Sequence, residues 1–119
     1  MSYDRYEAVG KSVKDYKNKV EDLLIKFENL KTEWLRKGYD ETSMQTVEKE
    51  VQGMLTYEYE GLRGELDALP GKAYILYPEN ISRSKELKSE LKEAWSKLLE
   101  KYREFKKEVA CIWGVGGKE

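Results

Sequence analysis

Apolar residues recur through the first third of the chain at alternating steps of three and four residues. They are Tyr6, Val9, Val13, Tyr16, Val20, Leu23, Phe27, Leu30 and Trp34. This spacing places them along one face of an α-helix that must pack against other helices. The pattern predicts a long amphipathic helix over about residues 4–37, with Gly38 at the position of a C-terminal cap.

A second apolar stripe predicts a helix over about residues 43–69, with Thr42 and Gln45 forming a capping box at its start. Its members are Met44, Val47, Val51, Leu55, Tyr59, Leu62, Leu66 and Leu69. The steps from Val47 to Tyr59 are all four residues long, so the heptad phase slips in this stretch. Glycines at 53, 61 and 64 weaken the helix further. We therefore expect it to be the least regular and most mobile of the helices.

A third stripe predicts a helix over about residues 82–113, with Ser82 or Ser84 as the N-cap. Its members are Leu87, Leu91, Trp95, Leu98, Tyr102, Phe105, Val109 and Ile112. Three glycines follow Trp113, so residues 114–119 are predicted to be a flexible tail. The predicted fold is all-α: one domain over residues 1–119, built as an elongated antiparallel three-helix bundle.

Charge divides among the segments in a way that agrees with this topology. Residues 1–37 carry nine basic and seven acidic side chains, residues 38–71 carry two and eight, and residues 72–119 carry eleven and eight. An acidic middle helix between two basic helices places opposite charges along both seams. Such pairing selects neighbours more than it stabilises them.

Composition argues against most catalytic chemistry. The chain has no histidine and one cysteine, Cys111, which removes His-based general bases, Ser-His and Cys-His pairs and His-containing metal sites. We expect no enzyme, no metal and no cofactor, and we expect Cys111 to be buried in the last turns of the third helix. The single cysteine and the absence of any long apolar run predict a cytoplasmic protein without membrane attachment.

Two apolar regions are candidate contact sites for another protein. The first is the aromatic cross-over formed by Tyr74, Ile75, Leu76 and Tyr77, which either recognises a partner or covers one end of the bundle. The second is the pair Leu24 and Ile25, since Ile25 falls at the outermost position of the first heptad register.

Basic residues of the third helix form another candidate site, for phosphate groups. They are Lys85, Lys88, Lys92, Arg103, Lys106 and Lys107. Glutamates interleave with them along the sequence, which favours a solvated, charge-laced helix and makes a nucleic-acid partner the alternative reading. The expected function is docking on another protein, as an adaptor, assembly factor or inhibitor, with phage and viral accessory proteins as examples. The stripes suit either a monomer or a homodimer.

Overall fold

The protein is an elongated bundle of three helices, as the apolar pattern predicts. The computed structural model describes residues 3–69 and 78–117, and it describes side chains over 6–69 and 81–111. No strand occurs in this part of the chain. The Cα atoms extend over 63 × 19 × 17 Å, with a radius of gyration of 18.4 Å. A compact chain of this length has a radius of gyration of about 13.5 Å, so the helices lie side by side along most of their length.

The three helices are longer than their predicted bounds. Helix α1 is Tyr3–Lys37. Helix α2 has three successive parts: an α-helical part, Glu41–Gly53, a π-helical turn, Met54–Glu58, and a second α-helical part, Tyr59–Ala68. Helix α3 is Pro78–Gly117.

Ion pairs between the helices establish their relative directions. Lys17 pairs with Glu90 and Lys31 with Glu108, so residue numbers rise together along α1 and α3 and these helices are parallel. Asp67, near the end of α2, pairs with Lys88, near the start of α3, at 2.6 Å. Helix α2 therefore runs antiparallel to α1 and α3. The backbones of α1 and α3 lie closer together, over a longer stretch, than those of any other two helices. The first part of α2 lies farther from both.

The predicted stripes form the core, with a few changes at their edges. Leu30, Leu55, Leu62 and Trp95 are only partly buried, while Met54 and Ala94 are buried although the pattern did not include them. Aromatic rings fill one end of the core. Phe27 stacks on Phe105 with ring centroids 4.5 Å apart, and Trp34 meets Tyr39 edge-on at 5.1 Å. Paired aromatic rings add about 0.5–1.5 kcal/mol beyond the area they bury.

The connection between α1 and α2 is capped at both helix ends. Gly38 has φ +102° and donates its N–H to the carbonyl of Trp34 at 2.8 Å, which confirms it as the cap. The predicted capping box at Thr42 is wrong, because Asp40 is the N-cap and α2 begins two residues earlier. The Asp40 carboxylate accepts hydrogen bonds from the Thr42 N–H and the Ser43 hydroxyl. A carboxylate suits the positive N-terminal end of a helix better than a hydroxyl does.

The predicted N-caps of the third helix are also wrong. Helix α3 begins at Pro78, where the fixed φ of proline and its missing N–H suit a first turn, so Ser82 and Ser84 lie inside the helix. Ser84 is buried, and its hydroxyl donates to the carbonyl of Leu66 at 3.2 Å. It therefore joins α3 to the end of α2. The helix also continues past the predicted end at Trp113 to Gly117.

Cys111 is exposed, which contradicts the prediction that it is buried. The core stripe of α3 passes through Phe105 and Val109. Cys111 follows Val109 by two residues, which is about 200° of helix rotation, so it lies on the outer face.

We predict that two glycines of α2 limit its stability without serving the packing. A Cβ added at Gly61 or Gly64 meets no atom within 4 Å, and neither glycine has positive φ. Gly61→Ala and Gly64→Ala should each raise the free energy of unfolding by about 0.4–1 kcal/mol, because alanine loses less backbone freedom on folding. Urea denaturation measures the change.

Gly38→Ala is the matched control for these two substitutions. Its Cβ would also meet no atom within 4 Å, but φ is +102°, so we expect alanine there to lower the free energy of unfolding by about 1 kcal/mol. Stabilisation by all three alanines, or by none, would contradict the helical backbone at Gly61 and Gly64 or the positive φ at Gly38.

Candidate functional site

A π turn in the middle of α2 corrects the phase of its apolar stripe. The buried residues of α2 keep steps of three and four as far as Met54, the first residue of the π turn. The next buried residue is Tyr59, five residues later, which matches one turn of π-helix. After it the three–four pattern resumes through Leu62, Leu66 and Leu69. A continuous α-helix would bring Glu58 towards the core in place of Tyr59, and the π turn avoids this.

Side chains from both neighbouring helices donate hydrogen bonds to carbonyls of the π turn. The Tyr16 hydroxyl of α1 donates to the Met54 carbonyl, and the Trp95 indole N–H of α3 donates to the Leu55 carbonyl, each at 2.9 Å. The Trp95 ring also packs against Tyr59, with centroids 5.2 Å apart. A π turn disturbs the regular backbone ladder, and a buried carbonyl without a donor is costly. Helices α1 and α3 therefore hold the π turn from two sides.

The Tyr16 phenol is held in its neutral form. Burial raises its pKa far above the ordinary value, and the nearby Glu58 carboxylate and Tyr59 raise it further. A neutral phenol keeps the proton that it donates to Met54, so this contact persists over the whole physiological pH range.

An open groove lies between α1 and α2 beside the π turn, with a volume of about 670 Å³. Its floor contains Leu23 and Met54, both buried. Gly53 leaves a recess in the α2 wall, since a Cβ there would meet no atom within 4 Å. The π turn supplies both Met54 and Glu58 to this groove, so the same irregularity that corrects the core also shapes the surface.

Two ion pairs join the walls of the groove. Lys19 reaches Glu58 at 3.2 Å, and Lys26 reaches Glu50 at 2.9 Å. Lys19 and Lys26 are one heptad apart, which is about 10.5 Å along α1. Asp22 and Lys49 also line the groove, and neither makes an ion pair with the side chains described over residues 6–69 and 81–111. The surface therefore offers one unpaired charge of each sign beside an apolar floor.

Leu24 and Ile25, predicted as one contact site, lie on different sides of α1. Ile25 is 59% exposed and stands at the rim of the groove beside α2. Leu24 is partly buried and faces a smaller depression between α1 and α3, of about 250 Å³, next to the Lys31–Glu108 ion pair. Consecutive residues are about 100° apart on a helix, so a single surface does not present both fully.

The other predicted contact site, formed by Tyr74, Ile75, Leu76 and Tyr77, lies outside the described residues. Its role remains a prediction.

All six basic residues of the candidate phosphate site are exposed on α3. Arg103 follows Lys85 by 18 residues, about five helical turns, so the two triplets lie on the same side of the helix. Three of the six already contact neighbours. Lys88 pairs with Asp67 at 2.6 Å, while the Lys92 and Lys106 ammonium groups lie over the rings of Trp95 and Tyr102. These contacts weaken the case for phosphate binding. The neighbouring helix α2 weakens it further, because its excess of acidic side chains repels phosphate groups.

Neither a metal centre nor a membrane span appears in the part of the chain that the structure describes. No group of three or more acidic or cysteine side chains there is arranged to hold a metal ion. No helix there combines the length and the apolar character that crossing a bilayer requires.

No protein-family model matches this chain, and the comparisons with curated proteins and with solved structures found no match either. The groove is therefore interpreted from its own residues.

Sequence reasoning identified Ile25 but missed the rest of the groove. The only feature of the sequence that indicated the groove was the run of four-residue steps from Val47 to Tyr59, which marked the irregular stretch of α2. A five-residue step from Met54 to Tyr59, between two regular stripes, would have located the π turn and placed Met54 in the core.

We predict that the hydrogen bond from Tyr16 is required to hold the π turn. Tyr16→Phe removes a buried hydrogen bond to the Met54 carbonyl, so the free energy of unfolding should fall by about 0.5–1.5 kcal/mol. Chemical denaturation measures the loss. Tyr57→Phe is the matched control: Tyr57 lies in the same turn but is 81% exposed, and its substitution should change stability by less than about 0.5 kcal/mol. Equal effects of the two substitutions would argue against the hydrogen bond.

We also predict a loss of stability at alkaline pH that depends on two buried tyrosines. Burial raises the pKa of Tyr16 and of Tyr102 above the ordinary 10.0. The Glu48 carboxylate, which accepts a hydrogen bond from the Tyr102 hydroxyl, raises the pKa of Tyr102 further. The unfolded chain releases these protons first. The contribution of these two tyrosines to the free energy of unfolding should therefore be constant below about pH 9 and fall above about pH 10, approaching about 1.4 kcal/mol per pH unit for each tyrosine.

Urea denaturation at several pH values measures this fall. The Tyr16→Phe/Tyr102→Phe double variant should lose stability less steeply than the unsubstituted chain, and Tyr57→Phe should not differ from it. An unchanged slope in the double variant would show that other groups cause the alkaline transition.

Proposed function

We propose that this chain is a non-enzymatic protein-binding module and that the groove beside the π turn is its docking surface. The position of Ile25 carries the proposal, because an exposed isoleucine stands at the rim of a groove with a buried apolar floor. A single exposed isoleucine is ordinary on a protein surface. Here, however, the exposed isoleucine stands beside an open recess. A partner could therefore contact a projecting side chain and fill a pocket at one place, as at the centre of many interfaces.

The chemistry of the groove supports binding more than catalysis. Lys19 and Lys26 are engaged with Glu58 and Glu50 across it, and the floor between these pairs is hydrocarbon and thioether. Covering Ile25, which is 59% exposed, with a partner would contribute about 1–2 kcal/mol if it became fully buried. The flanking charges would exclude mismatched partners and orient a matched one.

We propose the cytoplasm as the site of action, in an adaptor, assembly or inhibitory role. The exposed thiol of Cys111, the only cysteine of the chain, supports a reducing compartment. Docking on nucleic acid through α3 has less support, since three of the six candidate basic residues already contact Asp67 or aromatic rings.

A photo-crosslinking residue placed at position 25 tests this proposal. Benzoylphenylalanine in place of Ile25 should give, on irradiation in the native host, a covalent adduct between this chain and a protein, identified by mass spectrometry. The same residue in place of Leu35 is the matched control, because Leu35 is 72% exposed on the same helix but does not line the groove. Equal adduct yields at the two positions, or none at position 25, would refute the groove as the docking surface.

A further inference from the structure

We propose that the partner which occupies this groove is a second copy of the same chain, in a dimer with two-fold symmetry. The inference rests on the proposed function, since it names the occupant of the same docking surface. In this dimer, the groove faces of the two copies lie against each other, with the two α1 helices side by side and antiparallel. Ile25 of each copy enters the recess of its partner, and Asp22 of each copy pairs with Lys49 of the second copy.

Shape is the first argument for self-association. A two-fold interface brings the same patch of two molecules together, so the patch must carry a projection and a hollow that fits it. Ile25 is the projection, and the hollow has Leu23 and Met54 in its floor and Gly53 in its wall. The exposed side chain and the recess lie in one groove, as self-complementarity requires.

Charge is the second argument. Asp22 on α1 and Lys49 on α2 line the groove, have opposite sign and lack an ion pair in the described part of the chain. In the proposed dimer, the two-fold axis brings Asp22 of one copy to Lys49 of the other and repeats this contact on the opposite side. The dimer therefore contains two identical ion pairs. A partner of uniformly positive or uniformly negative charge would satisfy one of these residues and repel the other.

The position of the groove along the molecule is the third argument. Its α1 residues run from Lys19 to Asn29, so its centre lies about 6 Å from the midpoint of α1 in a molecule 63 Å long. A two-fold axis through this centre overlays two bundles along most of their length. In such an antiparallel arrangement, Ile25 of one copy lies opposite Leu23 of the other, because their levels along α1 differ by only two residues.

Sedimentation equilibrium of the full chain tests the dimer. We expect a dimer as the main species at about 200 µM protein and physiological salt, with a dissociation constant that Ile25→Glu raises by about a hundredfold. Gly53→Met, which fills the recess, should raise it by about tenfold or more. Leu35→Glu is the matched control, and it should leave the dissociation constant within about threefold of the original. Circular dichroism establishes that each variant remains folded.

Charge reversal tests the predicted pairing directly. Asp22→Lys and Lys49→Asp should each weaken the dimer by about tenfold, because each places like charges opposite one another. The Asp22→Lys/Lys49→Asp double variant should restore the dissociation constant to within about threefold of the original. Additive weakening in the double variant would overturn this pairing and the two-fold arrangement built on it.

Failure of the dimer and failure of the docking surface give different results. A monomer at about 200 µM, together with a crosslink from position 25 to a different protein, would overturn self-association while the groove stayed a docking surface. A dimer that Ile25→Glu and Gly53→Met leave unchanged would overturn this inference, because self-association would then use another face. A monomer with no crosslink at position 25 would refute both.

Discussion

The structure depends on one constraint: α2 carries one residue more than a regular heptad pattern allows, and the bundle must absorb it. The two regular stripes of α2 are separated by the five-residue step from Met54 to Tyr59. The π turn absorbs the extra residue within a single turn, so both halves of α2 present apolar faces to the same core. Without it, either the first or the second half would turn charged residues towards α1 and α3.

This correction ties the three helices together at one level of the bundle. Tyr16 comes from α1 and Trp95 from α3, and both donate to carbonyls of the π turn. Surface ion pairs join the helices elsewhere, yet exposed pairs contribute little each. The bonds from Tyr16 and Trp95 are different, since they lie in buried or partly buried surroundings and end on backbone carbonyls. The aromatic side chains therefore set the axial register of the bundle as well as filling its core.

The π turn also links the core to the surface. It places Met54 in the floor of the groove and Glu58 on its wall, with Gly53 directly before it. The docking surface proposed for this chain thus arises from the same irregularity that completes the packing.

The sequence by itself determined the fold class, the number of helices and most of the core, because helical periodicity depends on local spacing and burial follows it directly. It also determined the Gly38 cap, because the positive φ that ends α1 there is a conformation that glycine adopts readily. Tertiary structure decided the rest. Met54 is buried in place of Leu55, Leu24 and Ile25 lie on different sides of α1, and Asp22 and Lys49 line the same groove. The separation of Leu24 from Ile25 and the lining of the groove depend on how neighbouring helices pack around an irregular turn, which the spacing of residues within one helix does not determine.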